Sequence, residues 1–271
     1  MKFGKTASIF FIFITLVYFL TGIGAKSQKI VRLAGSTAFL PFAEKLAEHY
    51  MKTNKDITVD VQGGGSAVGI MVATEGIVDI GMADMLSLPK ETDSLEKVVV
   101  ARDGIAIIVN LGNPLTNLTL NDLTQVFSGK VKEWKEIGVN LSGQIRVISR
   151  EEGSGTRKSF DQLILKSARL TTDAMFQDSN GTIREAVKSD PNSIGYISIG
   201  FLDSTVKAIS VNGIVASNEN VILDTYKISR PVYFLFKQNP TPETKNFIQF
   251  ILGKEAQKII AADGLIPVVK I

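Results

Sequence analysis

Three short runs of glycine, serine and threonine each stand where a strand-like segment hands over to a helix-like one. They are Ala34-Gly35-Ser36-Thr37, Gln62-Gly63-Gly64-Gly65-Ser66 and Gly153-Ser154-Gly155-Thr156. The first turn of a helix leaves backbone N–H groups without acceptors and carries about half a positive charge, so such a junction suits an anion. Glycine lets the backbone come close, and a hydroxyl adds a donor. One such run is explained as well by an ordinary capped helix. Three in one chain mean more, because parallel strands gather their carboxyl ends and the helix starts that follow on one edge of a sheet.

Charged residues complete the pattern. Arg150 closes a strand-like run, Ile145–Ser149, three residues before Gly153. Its planar fork can grip two oxygens of an oxyanion, with Glu152 expected to hold the fork in place. Asp84 follows the run Asp79–Ala83 at the corresponding end. A carboxylate repels a fully ionised anion such as sulfate, yet it accepts the proton that monohydrogen phosphate keeps at neutral pH. Asp84 is therefore a selectivity device if it faces a ligand and a turn aspartate if it does not. Energetically, micromolar binding needs about −8.2 kcal/mol. Six to ten charge-assisted hydrogen bonds of roughly 1.5–3 kcal/mol each, less the cost of dehydrating a dianion, reach that level.

The elements that must position these groups alternate. Strand-like runs at Ile30–Ala34, Thr58–Gln62, Asp79–Ala83, Ile105–Asn110, Ile145–Ser149, Ile194–Ser198, Ala208–Val211 and Pro231–Lys237 are interleaved with helical patterns. Phe39, Phe42, Ala43, Leu46 and Tyr50 recur at helical spacing, and Thr119 with Asp122 forms a helix-start signal. Helices are also expected over Ala67–Glu75 and Thr156–Lys166, with two more near the end of the chain. Such alternation predicts an α/β fold with mainly parallel sheets.

The totals are those of an ordinary globular protein: 271 residues, 45% hydrophobic and 21% charged. Lys2 and Lys5 precede an uncharged apolar run that ends in Thr21-Gly22-Ile23-Gly24-Ala25, which reads as a secretory signal peptide over residues 1–25. An uncleaved membrane anchor is the competing reading, since about 20 apolar residues span a bilayer. Without cysteine there is no lipid attachment and no disulfide, so burial alone must hold an exported domain. With the two leader lysines set aside, the formal charge of +3 falls to +1, too little to recruit nucleic acid or an anionic membrane. Any anion must be held locally.

Enzymatic alternatives lack their parts. His49 is the single histidine, at the border of the first helix's apolar face, and with no cysteine neither a Cys–His pair nor a histidine zinc site can form. Gly153-Ser154-Gly155 is not a nucleophile elbow, and Arg157 stands where a P-loop requires glycine. A magnesium-dependent phosphate-ester hydrolase is not excluded by counting, but no acidic pair is placed for it. A surface adhesion or sensory domain would need the uncleaved anchor. Trp134, Phe127, Tyr196 and Phe201 read as packing residues, and Asn180-Gly181-Thr182 as a further helix start that could line a cleft.

The runs AGSTAFLPFAEKLAEHYMK, VQGGGSAVGI, DIGMADM, FSGKVKEW, SREEGSGTRKSF and SIGYISIGFLD resemble, in order and spacing, the phosphate-binding proteins of phosphate ABC transporters. The resemblance implies an exported, monomeric, non-enzymatic binder of inorganic phosphate that serves a transporter permease and needs no cofactor or metal. Sulfate or molybdate is the alternative ligand. It implies phosphate contacts from Ser36, Thr37, Gly65, Ser66, Arg150, Ser154, Gly155 and Thr156, with Asp84 accepting the ligand's proton. Asp84-Met85 departs from shorter relatives, which have serine there and often arginine next. Ala38-Phe39 replaces commoner small polar residues. The implied fold is that of a type II-like periplasmic binding protein. One lobe takes residues 26–102 and 230–271, the other takes 103–229, and Ile105–Asn110 and Pro231–Phe236 cross between them.

Overall fold

The computed structural model describes residues 29–270, so the leader expected over residues 1–25 lies outside the described residues. In chain order the strands and α-helices are β1 Lys29–Gly35, α1 Leu40–Thr53, β2 Ile57–Gly64, α2 Ser66–Glu75, β3 Ile80–Asp84, β4 Glu96–Val109 and β5 Asn117–Leu118. Next come α3 Leu120–Phe127, β6 Arg146–Arg150, α4 Gly155–Phe160, β7 Met175–Gln177, α5 Asn180–Ser189, β8 Ser193–Ser198, β9 Lys207–Ala208 and β10 Ser210–Val211. The chain closes with α6 Asn218–Ile222, β11 Ser229–Phe236, α7 Pro242–Leu252, α8 Lys254–Ala262 and β12 Ile266–Pro267.

The expected α/β architecture is the one observed. Eight strands follow one path, β2-β1-β3-β11-β4-β8-β6-β7. The wings are parallel: β1 pairs with β2 and β3, and β6 pairs with β7 and β8. Antiparallel pairs of β11 with β3 and β4, and of β4 with β8, join the wings.

Local sequence explains most elements. In α1, Phe42, Ala43, Leu46, Ala47 and Tyr50 are buried at helical spacing, and Pro41 sits in the first turn, where its missing N–H costs nothing. Thr119 and Asp122 form the capping box that starts α3. The helix expected over 156–166 is split: α4 runs to Phe160, and a wider π-turn, Asp161–Leu165, completes it.

Strand β4 departs most from expectation. It begins at Glu96, nine residues before the apolar run Ile105–Asn110 that marks it in the sequence. Glu96, Lys97, Arg102 and Asp103 interrupt the hydrophobic signal of its first half, so periodicity alone stops at the buried end. The strand feeds two apolar cores. Val100 and Ala101 join residues from β1, α1, β3, β11, α7 and α8, whereas Ile105 to Val109 join residues from α3, α4, α5, β6 and β8. Asp103 lies between these stretches, and its Cα partner on β11 is Arg230.

Candidate anion-binding site

Three junctions meet because the strands that lead to them end together. In register, Gly35 at the end of β1 faces Gly64 of β2 on one side and Met82 of β3 on the other. Gly35 has φ +138°, and a Cβ there would stand 2.2 Å from the Met82 carbonyl oxygen, so no other residue fits. The Gly65 N–H donates to the Gly35 carbonyl at 2.9 Å, lacing the first junction to the second. The third arrives from β6: the Ala67 N–H donates to the Gly153 carbonyl at 3.1 Å. A Cβ on Gly155 would lie 2.3 Å from Ser66 Oγ and 2.5 Å from the Asp84 carbonyl. Ser36, Ser66, Ser154 and Thr156 are all buried there, and Thr37 is half-buried.

Asp84 is the hub. Its Oδ1 accepts from Ser66 Oγ at 2.7 Å, and its Oδ2 accepts from Thr156 Oγ1 at 2.9 Å and Arg230 Nε at 2.9 Å. Burial pushes the carboxyl up, but the Arg230 charge and the hydrogen bonds that the carboxylate accepts outweigh it and hold Asp84 below the usual carboxylate range. Asp84 is thus an ionised acceptor at neutral pH.

Arg150 is also buried, with 1% of its surface exposed, and it is held from three directions. Its Nη2 donates to Thr37 Oγ1 at 2.8 Å and to the Asp178 carbonyl at 2.9 Å. Its Nε and Nη2 donate to Glu151 Oε2 and Oε1, each at 2.9 Å. The fork is therefore held by Glu151, not by Glu152 as expected. Glu152, one residue further into the turn that follows β6, is exposed. Tyr196 OH stands 2.7 Å from Ser149 Oγ and accepts from the Arg150 N–H, fixing the strand end that carries the arginine.

The hydroxyls divide by what their single proton does. Ser66 and Thr156 give theirs to Asp84. They can serve an anion only through their backbone amides, which as first-turn groups have no intrahelical acceptor. Thr37 and Ser154 use their oxygens as acceptors, from Arg150 and from the Arg157 N–H, so each keeps a proton to donate. Arg150 Nη1 is buried with no hydrogen-bond partner among the described residues. Arginine, hydroxyls and amides make a cage of donors with one ionised acceptor beside it.

Arg230, which the residue pattern marks only as a lobe boundary next to the crossing segment Pro231–Phe236, belongs to this network. Its Nη2 lies 2.8 Å from Asp84 Oδ2, 3.0 Å from Asp103 Oδ2 and 3.0 Å from Thr156 Oγ1. Its Nη1, like Asn180 Nδ2, is a buried donor without a partner among the described residues. Asn180 Oδ1 accepts from the Ser198 N–H, and Ser198 Oγ donates to Asp103. Charged Arg102-Asp103 and Arg230 inside otherwise apolar strands were the available signal, but their pairing needs the register of β4 against β11. The packing residues fall as read: Trp134, Phe127 and Tyr196 are fully buried in the second core, and Phe201 packs against both cores. His49 pairs with Glu255 at 2.7 Å on the surface.

Known proteins share this chain's sequence pattern and its fold. Residues 21–255 match the family model described as PBP superfamily domain. Phosphate-binding protein PstS of Bacillus subtilis is 32% identical over 248 residues, covering 90% of this chain and 82% of that protein. A crystal structure from Clostridium perfringens, assigned as a phosphate ABC transporter substrate-binding protein and holding bound phosphate, superposes with TM-score 0.85 at 38% identity. It covers 89% of this chain and all of that one. An ABC-type phosphate transport receptor from Vibrio cholerae superposes with TM-score 0.75 at 34% identity, covering 87% of this chain and 99% of that one.

Proposed function

We propose, from the premise that the chain belongs to the PBP superfamily and within it to the family of the phosphate-binding PstS proteins, that it captures inorganic phosphate at the donor cage and delivers it to an ABC transporter permease. The observation that carries this reading is the convergence of three glycine-bordered junctions on two buried arginines and one ionised carboxylate. Donors from Arg150, Thr37, Ser154 and the amides of Ser66, Gly155 and Thr156 neutralise the ligand oxygens. Asp84 accepts the one proton that monohydrogen phosphate carries and sulfate lacks. Ser36 and Gly65 shape the cage, Ser36 by accepting from the Phe39 N–H and Gly65 by its backbone.

In this reading the protein works as two lobes, residues 26–102 with 230–271 and residues 103–229, crossed by β4 and β11. The anion bridges them, since Ser36, Thr37, Ser66 and Asp84 come from one lobe and Arg150 to Thr156 from the other. Closure is then driven by contacts available only when the lobes meet. The protein performs no chemistry and acts as an exported monomer in the periplasm, freed from its leader or tethered by it. No helix among the described residues is long and apolar enough to cross a membrane.

Calorimetry of the protein from residue 26 onward against phosphate, sulfate and molybdate, with a phosphate-ester hydrolysis assay on the same sample, tests the reading. Tight binding of phosphate alone, without turnover, is expected. Turnover, or a preference for sulfate or molybdate, would refute it. N-terminal sequencing of the exported protein separates free from tethered.

A further inference from the structure

The buried cluster that joins Asp84 to Arg230 and Asp103 has an unusual charge count. Arg230 is one guanidinium shared by two carboxylates, Asp84 and Asp103, and the acidic side chains are each 3% exposed. Arg230 also donates to Thr156 Oγ1, so one side chain organises groups from β3, β4 and α4. When both acids are ionised the cluster carries one net negative charge beside a site for an anion.

We infer that Arg230 is a positioning residue of the anion site, and that Asp103, its second carboxylate partner, gives the site a charge that changes with pH although it does not touch the anion. The inference rests on the phosphate-binding reading. Asp84 has two hydroxyl donors and the arginine on its oxygens. Asp103 has Arg230 Nη2 and Ser198 Oγ, and it faces the negative charge of Asp84. The groups around Asp103 are therefore Arg230 from β11, Asp84 from β3, Ser198 from β8 and the Ile199 amide that follows it. Burial pushes the Asp103 carboxyl up to about 6, so it is the member that takes a proton first as pH falls.

The sign follows from linkage. An anion arriving beside the cluster makes the local potential more negative and favours protonated Asp103. Binding then takes up a fraction of a proton. Reciprocally, affinity is greatest below the free-state value of about 6 and weakens as Asp103 ionises above it.

Asp103→Asn tests this, because asparagine still accepts from Arg230 and its N–H can donate to Ser198. Phosphate affinity is measured by calorimetry for wild type and variant between about pH 5 and 8. Phosphate's own ionisation is common to both and drops out of the ratio. The variant is expected to bind about tenfold more tightly at about pH 8, with the advantage disappearing toward pH 5. Proton uptake, read from buffers of different ionisation enthalpy, should fall in the variant. A ratio that stays flat with pH overturns the inference, even if the variant's melting temperature shifts. Arg230→Lys keeps the charge but cannot hold three partners at once. It should lose tenfold or more in phosphate affinity, and unchanged affinity removes Arg230 from the positioning role. If the lysine variant does not fold, the Asp103→Asn ratio decides alone. Failure of the wild type to bind phosphate would instead sink the functional reading.

Discussion

Gly155→Ala separates local helix chemistry from the way the junctions meet. Gly155 is the first residue of α4, and its φ lies outside the left-handed region, so alanine meets no backbone strain. Helix propensity alone favours alanine over glycine by up to about 1 kcal/mol. The neighbours oppose it. The new Cβ would stand 2.3 Å from Ser66 Oγ, 2.5 Å from the Asp84 carbonyl oxygen and 2.8 Å from Asp84 Oδ1, where real contacts begin above 3 Å. None of these atoms can retreat easily. Ser66 Oγ is bonded both to Asp84 Oδ1 and to the Asp84 N–H, and Asp84 is paired in register with Val232. The start of α4 must move instead, at the expense of the Thr156–Asp84 and Ala67–Gly153 hydrogen bonds. Overpacking of about 1–3 kcal/mol plus two bonds of about 1 kcal/mol each, less the helix gain of up to about 1 kcal/mol, places the cost near 3 kcal/mol. Phosphate affinity should therefore fall about a hundredfold. Calorimetry reads the affinity, and thermal melting without phosphate should show little change, because in the two-lobe reading Gly155 lies on one lobe and Ser66 and Asp84 on the other, so the free protein relieves the clash by opening. An affinity within about threefold of wild type would refute the claim that these junctions must meet for the anion to be held.

Arg150→Ala removes the guanidinium whose Nη1 has no partner among the described residues and should weaken phosphate binding tenfold or more in calorimetry; unchanged affinity would take Arg150 out of the site. Glu151→Gln should weaken binding several-fold by loosening the arginine fork, whereas Glu152→Gln at the exposed neighbour should not, and the opposite order would contradict the geometry. Asp84→Asn replaces an ionised acceptor with a group that also donates. It should narrow the gap between phosphate and sulfate affinities in competition titrations, and an unaltered ratio would place discrimination elsewhere.

Much of the fold could be read from residue order. The spacing of Phe42, Leu46 and Tyr50 marks α1, and Thr119 with Asp122 marks the start of α3, because each signal acts within one or two turns of the chain. The glycine-bordered junctions were legible for the same reason. What escaped depends on contacts between distant segments. The first half of β4 was hidden by its charged residues, and the partner of Arg150 was misassigned by one position, since only the path of the chain beyond β6 decides which glutamate turns back.

Taken alone, the order of residues determined an α/β chain with three anion-prone helix starts, one well-placed arginine and one suspect carboxylate. Those are consequences of backbone geometry and side-chain chemistry that each segment carries with it. Tertiary structure decided the rest: that Ser66 and Thr156 spend their protons on Asp84, that Glu151 holds Arg150, and that Arg230 stands between Asp84 and Asp103. The Asp103–Arg230 pair joins residues more than a hundred positions apart through the register of two antiparallel strands. A shift of that register by a single residue would turn the side chains to the other face, and no local pattern encodes it.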